Sequence, residues 1–232
     1  MKQQFKIIAF DADDTLWVNE TYFRASEKAF CRMMAAFMEP DLVQRVLFRT
    51  EVRNMELYGY GIKAFILSMM ETALEVSQNK LDGALMEQIV LLGKDQLNKE
   101  VVLLDGVENV LQNLAEREQK VVVVTKGDLL DQERKLHKSG LDRYFHHVEI
   151  VSEKHEENYL RLIEHLAVAP HEFLMVGNSV KSDVVPVLNI GAHAVHIPFH
   201  ETWEFEKTET EIRHERFAEL NTISELIPWL ER

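Results

Sequence analysis

Residues 5–16 read FKIIAFDADDTL. The first six are mostly apolar and lack the polar alternation of a half-exposed strand, so they predict a strand covered on both faces. Three carboxylates follow within four residues: Asp11, Asp13 and Asp14. Two like charges about 4 Å apart, at an effective dielectric near 20, repel by roughly 4 kcal/mol. Such a cluster at a strand end calls for a counter-charge. A hard cation such as Mg²⁺, which favours carboxylate oxygens and retains several waters, would supply it. The plain alternative is an exposed acidic turn whose aspartates cap a helix.

Working outward, four more apolar runs predict strands: residues 121–125 (VVVVT), 147–151 (HVEIV), 173–177 (FLMVG) and 192–198 (AHAVHIP). All read as strands buried on both faces. Helical spacing fills the intervals. Residues 106–120 place Val107, Val110, Leu111 and Leu114 on one face, and residues 129–139 stop at Gly140. Residues 156–167 bring Tyr159, Leu160, Ile163 and Leu166 together, and residues 184–190 stop at Gly191. Strands alternating with helices predict an α/β fold with a doubly wound parallel sheet. Ligands in such folds sit at the carboxyl ends of the strands, where Asp11 falls.

One stretch breaks the alternation. Residues 19–98 show helical patterns and no strand, which predicts an inserted all-helical domain between the two parts of the core, residues 1–18 and 99–232. Seven of the nine methionines lie in it, as expected of helical core filling. Gly59 and Gly61, around Tyr60, read as a turn between helices. Residues 92–101 read as the return hinge, with Gly93 as its pivot. The tail, residues 201–232, reads as acidic and helical, with Ile223, Leu226, Ile227, Trp229 and Leu230 as its apolar positions.

The chain has 232 residues and a formal net charge of −13. That balance argues against nucleic acid or an anionic membrane as a partner, but leaves room for a small phosphorylated ligand held by local cations. A single cysteine, Cys31, excludes an intrachain disulfide and a cysteine-based zinc cluster, and it falls in an apolar helical run. No apolar run approaches the roughly 18 residues of a spanning helix. The first ten residues run straight into the aspartates, unlike a secretory signal. A cytoplasmic protein, monomeric or homodimeric, is the expectation.

Three further loops follow predicted strands. Thr125-Lys126-Gly127 offers a hydroxyl and backbone N–H groups at a helix start, which suits an anion. Lys154 follows residues 147–151. Gly177-Asn178-Ser179-Val180-Lys181-Ser182-Asp183 offers an amide oxygen and, five residues on, a carboxylate. In order the loops carry acid, hydroxyl, cation and acid, and together they resemble the haloacid dehalogenase superfamily. DADDTLW is similar to that superfamily's DxDx(T/V) motif, TKG to its threonine/serine motif, Lys154 to its loop lysine and GNSVKSD to its acidic motif. The helical insertion resembles a cap placed just after the first motif, on a Rossmann-like core.

The resemblance implies a phosphatase acting on a small phosphorylated metabolite. Asp11 matches the nucleophile that forms an aspartyl-phosphate. Asp13 matches the acid/base, its carboxyl turned from the metal while its backbone carbonyl coordinates it. Thr125 and the Lys126 and Gly127 amides match the phosphoryl cradle, and Lys154 matches the cation that neutralises nucleophile and phosphate. Asp183 and Asn178, with Asp11 and Asp13, match the Mg²⁺ site. The chain departs from the pattern at Asn178, where the superfamily usually has aspartate, and at Asp14, where many members have glycine. Members that displace halide lack an acid at the position of Asp13. A phosphomutase would keep it, and a non-catalytic phospho-ligand-binding protein would not need it. Trp17, Asn19, Tyr22, Phe23 and Arg24 would lie nearest the entrance, with Trp17 reading as packing or hinge and Arg24 as a surface cation or a contact for an anionic substrate group. His193, His196 and His200 straddle a strand and Pro198 and do not predict a shared ion.

Overall fold

The computed structural model describes residues 5–208 and 211–232. It begins with β1 (Ile7–Phe10) and passes into four helices, α1 (Glu20–Met33), α2 (Pro40–Tyr58), α3 (Ile62–Val76) and α4 (Gly83–Asn98). The chain then alternates: α5 (Val107–Glu116), β2 (Lys120–Lys126), α6 (Leu129–Ser139), β3 (His147–Val151), α7 (Glu156–His165), β4 (Phe173–Gly177), α8 (Val185–Asn189) and β5 (His193–His196). It ends with β6 (Phe217–Glu219) and α9 (Leu226–Leu230). The six strands form one sheet in the order β3-β2-β1-β4-β5-β6, parallel throughout. This is the α/β, doubly wound sheet expected from the strand pattern. Among the described residues no helix is long and apolar enough to cross a membrane.

Alternate residues of each central strand sort onto opposite faces. Ile8, Phe10, Val121, Val123, Leu174 and Val176 pack with Val107, Leu111 and Leu114 of α5 and with Leu226 of α9. Ile7, Ala9, Val122, Val124, Phe173 and Met175 pack with Tyr159, Leu162 and Ile163 of α7 and Val187 of α8. Burial on both faces is why these strands are continuous apolar runs. The chain winds β1-β2-β3 to one side and β4-β5-β6 to the other, so the direction reverses between β1 and β4. Ligands of doubly wound folds bind at this switch point.

Four expectations are corrected. β3 is half-buried along its whole length, not covered on both faces, because it is an edge strand of the sheet. The tail is not a helix. Residues 217–219 pair with β5 as a sixth strand, and among the described residues of the tail Glu204–Glu206 and residues 223–230 wind into short helical turns. On α7 the buried position is Leu162, while Leu160 is exposed. Gly93 is no pivot: it lies inside α4, where a Cβ would stand 1.9 Å from Ile66 Cδ1. Its missing side chain lets α3 and α4 approach closely.

By its contacts the described chain divides into two compact units. One holds the residues up to Glu20, Val101–Lys126 and Gln132–Arg232; the other holds Thr21–Glu100 with Gly127–Asp131. The second unit has its own core of Phe30, Met34, Leu47, Ile62, Met69 and Ile89. Met34 and Met69 are fully buried and the other five methionines of the insertion half-buried, which agrees with core filling. Gly59 (φ +68°) ends α2 and Gly61 (φ +103°) precedes α3, both in backbone conformations that side chains disfavour. Cys31 is buried there, and burial pushes its thiol up to about 11. Arg24 donates to Glu27 Oε2 at 2.9 Å along α1.

Candidate active site

Asp11 stands at the carboxyl end of the central strand. Its N–H donates to the Val176 carbonyl at 2.9 Å, so the backbone is still held by the β4 ladder. The chain then turns tightly: the Leu16 N–H returns to the Ala12 carbonyl at 2.8 Å and the Asp14 N–H donates to the Trp17 carbonyl at 2.7 Å. Asp14, at φ +62°, accepts from the Asn19 and Glu20 N–H groups and caps α1. Burial pushes its carboxyl up to about 8, opposed by those N–H groups. The Thr15 hydroxyl lies 2.9 Å from Asp11 Oδ2 and 3.3 Å from Asn178 Oδ1, so it ties the first motif to the loop after β4.

Lys154 closes the charge cluster. Its Nζ is 2.6 Å from Asp11 Oδ1 and 2.7 Å from Asp183 Oδ1, and all three residues are buried. Burial alone would lower the lysine, but the two carboxylates outweigh it and hold its ammonium well above the usual range. Burial pushes Asp11 up to about 7; the Lys154 charge opposes this and the Asp183 charge adds to it. Asp183 lies in a π-helical turn, Val180–Val184, and its Oδ2 accepts from the Ser179 N–H at 3.0 Å. Such turns recur at functional sites. Tyr159 donates to the Ser182 carbonyl at 3.0 Å; burial, with the nearby carboxylates, holds its phenol well above the usual range.

Asp13 points elsewhere. Trp17 Nε1 donates to its Oδ1 at 2.7 Å, and Gln132 Nε2 donates to its Oδ2 at 2.8 Å. Lys135 Nζ is 2.6 Å from Oδ1 and 2.8 Å from Oδ2. Trp17 is fully buried, in accord with the packing role.

Thr125 ends the buried part of β2, and its hydroxyl is 3.4 Å from the Lys126 carbonyl. Gly127 follows at φ +142°. The Lys126 ammonium turns aside to Glu206 Oε1 at 2.5 Å and Ser182 Oγ at 2.9 Å. Glu206 Oε2 also accepts from Ser179 Oγ at 2.6 Å and Ser182 Oγ at 2.7 Å. Burial would raise the Glu206 carboxyl, but Lys126 and the two hydroxyls outweigh it and hold it at about 2. The segment before β6 is thereby fastened to two of the motif loops. His196 spans Glu219 and the Asn178 carbonyl, while His193 packs edge-on against Phe5.

The structure thus joins Asp11, Lys154, Asp183 and Asn178 through direct or Thr15-mediated contacts. It places Asp13 against α6. Sequence reasoning missed Thr15, Gln132, Lys135 and Glu206. Gln132 and Lys135 are three apart on a mostly polar helix, and that spacing alone does not distinguish them from a solvated face.

Residues 5–190 match the haloacid dehalogenase-like hydrolase family. The chain belongs to that family. A solved structure of a haloacid dehalogenase-like family hydrolase from Xanthomonas campestris is similar at 33% identity and a TM-score of 0.87, covering 98% of this chain and 92% of the other. An L-2-haloacid dehalogenase from Xanthobacter autotrophicus shares the fold, with a TM-score of 0.69 at 16% identity over 98% of this chain and 99% of its own. N-acylneuraminate-9-phosphatase from Mus musculus is 27% identical over 133 residues, 55% of this chain and 53% of that protein. The chain therefore spans about half the length of the curated relative it matches.

For a haloacid dehalogenase-like hydrolase the metal question turns on the donor set. Among the described residues no three carboxylate, imidazole or thiolate side chains converge to hold an ion. What converges is two buried carboxyl groups, Asp11 and Asp183, against one ammonium, which leaves a net negative charge away from water once both are ionised. The Asn178 amide oxygen, which accepts from the Thr15 hydroxyl at 3.3 Å, adds a neutral donor. Hard oxygens with a residual negative charge suit Mg²⁺. The residues fit the ion.

Proposed function

We propose that the protein is a Mg²⁺-dependent phosphatase acting on a small phosphorylated metabolite. The observation that carries this reading is the pairing of the Asp11–Lys154–Asp183 cluster with a second carboxyl, Asp13, two residues from the first and turned away from it. Halide departs from carbon without a proton, so a dehalogenase has no use for that acid. An alkoxide leaving phosphorus gains from one.

In this reading the Asp11 carboxylate attacks phosphorus, and an aspartyl-phosphate replaces the ester bond. Asp13 gives its proton to the departing oxygen, then takes one from the water that hydrolyses the intermediate. Thr125, with the Lys126 and Gly127 N–H groups, holds the phosphoryl oxygens. Lys154 balances Asp11 and the incoming phosphate. Asp11, Asp183, Asn178 and the Asp13 carbonyl would hold Mg²⁺, which when bound supplies positive charge against the phosphoryl oxygens. The inserted helices are assigned the cap role, choosing among leaving groups. A monomer or homodimer in the cytoplasm, without nucleic-acid or membrane partners, completes the proposal.

The test is phosphate release from 4-nitrophenyl phosphate with Mg²⁺, with EDTA, and by Asp11→Asn. Turnover that needs the metal and vanishes in the folded variant is the expected result. No turnover by the folded wild type with Mg²⁺, Mn²⁺ or Co²⁺ would overturn the reading in favour of a phospho-ligand-binding role.

A further inference from the structure

The Asp13 carboxylate is held by three side chains whose roles the motif pattern does not assign. Oδ1 accepts from Trp17 Nε1 at 2.7 Å and Oδ2 from Gln132 Nε2 at 2.8 Å, while the Lys135 ammonium spans both oxygens at 2.6 and 2.8 Å. The Gln132 amide has its orientation fixed by a second partner, the Lys126 carbonyl, 2.7 Å from the same nitrogen. Both partners are acceptors, so the nitrogen must face them. Lys135 also donates to Asn19 Oδ1 at 3.2 Å. Gln132 and Lys135 lie three apart on α6 and so share a face. Gln132 is buried, and the Lys135 side chain is only 16% exposed.

A lysine on a polar helix normally keeps its ammonium in water. Lys135 instead directs it at one carboxyl group, and Gln132 does the same from the preceding turn. We infer that Lys135, backed by Gln132, is a positioning residue that aims the Asp13 carboxyl at the oxygen leaving phosphorus. The inference rests on the phosphatase reading, in which Asp13 is the proton donor. In that step the bond from Asp11 oxygen to phosphorus forms and the ester P–O bond breaks. The bonding pair stays on the leaving oxygen, which takes the Asp13 proton and departs as a neutral alcohol or phenol. The ammonium spans two oxygens; drawn onto one, it leaves the other to carry that proton. Trp17 and Gln132 meanwhile keep the plane of the group fixed.

The experiment compares 4-nitrophenyl, phenyl and 4-methoxyphenyl phosphate at one pH with Mg²⁺. These esters have similar shapes and leaving groups of decreasing acidity. The readout is kcat/KM, which reports events through departure of the leaving group. A 4-nitrophenolate needs little help from an acid; the other two need much. Lys135→Met is expected to lose about tenfold or less on the nitrophenyl ester and about 10²-fold on the other two, a share of the 10²–10⁴ typical of a positioned acid. Lys135→Arg, which keeps charge and donors, should restore most of the loss. Gln132→Leu, which leaves every charge in place, should show the same trend at smaller size and decides the matter should Lys135→Met fail to fold. Equal losses across the three esters, or none, overturn the inference alone. No turnover by the wild type on any ester overturns the phosphatase reading and this inference with it.

Discussion

Gly177 and Asp183 occupy space that a side chain on the first would take from the second. A Cβ at position 177 would stand 2.3 Å from Asp183 Oδ2 and 2.4 Å from its Cγ. The glycine is therefore a requirement of the carboxylate's position against Lys154, in ordinary strand backbone. Gly177→Ala should displace Asp183 and cost about 1–3 kcal/mol, as overpacking of a filled site does. Under the proposed Mg²⁺ reading it should also raise the metal concentration for half-activity by about 10–100-fold, the usual penalty for disturbing a ligand's support. Urea denaturation and a Mg²⁺ titration of phosphate release measure the two effects. Unchanged metal dependence would separate Asp183 from the ion.

Lys154→Met leaves two buried carboxylates without their ammonium. Removing one partner from a buried charge cluster costs roughly 3–5 kcal/mol. Under the proposed phosphatase reading, loss of this fixed charge beside the phosphoryl group should also lower kcat by about 10²–10³-fold. Burial already holds the Asp11 carboxyl up at about 7. Without the lysine it rises further, so the folded variant binds a proton that the unfolded chain releases above its ordinary value near 4. The variant's stability should therefore recover as pH falls from 8 toward 5, and the gap to wild type should narrow. Equal stability of the two proteins at pH 8 in EDTA would contradict the argument.

Glu206→Gln tests the tie between the segment before β6 and the motif loops. The native carboxyl is held at about 2, below its unfolded value near 4.5. Its contribution is then fully present above pH 4.5 and is lost as pH falls through 2. Hydrogen bonds to a charged group are worth about 1.5–3 kcal/mol each way of counting, so a loss of that order is expected at pH 7. At pH 3 the difference between variant and wild type should be clearly smaller. Chemical denaturation at both pH values reads it, and a difference that stays constant rules out the ionised tie.

The legible parts of the chain share a physical cause. β1, β4 and residues 121–124 of β2 are covered on both faces, so they read as unbroken apolar runs. Asp11 was legible because it opens a run of three carboxylates within four residues directly after such a strand, a cluster that calls for a counter-charge. β6 was not: Phe217-Ala218-Glu219 is three residues long, and only its register against β5 makes it a strand. Lys135 and Glu206 were hidden for a related reason. Each is an ordinary charged residue whose partner, Asp13 or Lys126, lies 122 or 80 residues away. Leu160 and Leu162 show the smaller limit. Helical spacing identified α7, but a shift of two residues along it decided which leucine meets the sheet.

Gly93 offers a test inside the helical insertion. A Cβ there would stand 1.9 Å from Ile66 Cδ1 and 2.3 Å from Ile66 Cγ1, so α3 and α4 meet where one of them has no side chain. On propensity alone Gly93→Ala should stabilise α4 by up to about 1 kcal/mol. The close approach reverses the sign: Ile66 must leave its rotamer or the helices must part, at a cost of about 1–3 kcal/mol. Ile66→Ala in the same chain removes the obstructing atoms, so the double variant should recover the propensity gain relative to Ile66→Ala alone. A double-mutant cycle by thermal or urea unfolding therefore predicts a destabilising Gly93→Ala in the native background and a neutral or stabilising one beside Ala at position 66. The same sign in both backgrounds would mean that the glycine serves the backbone rather than the packing.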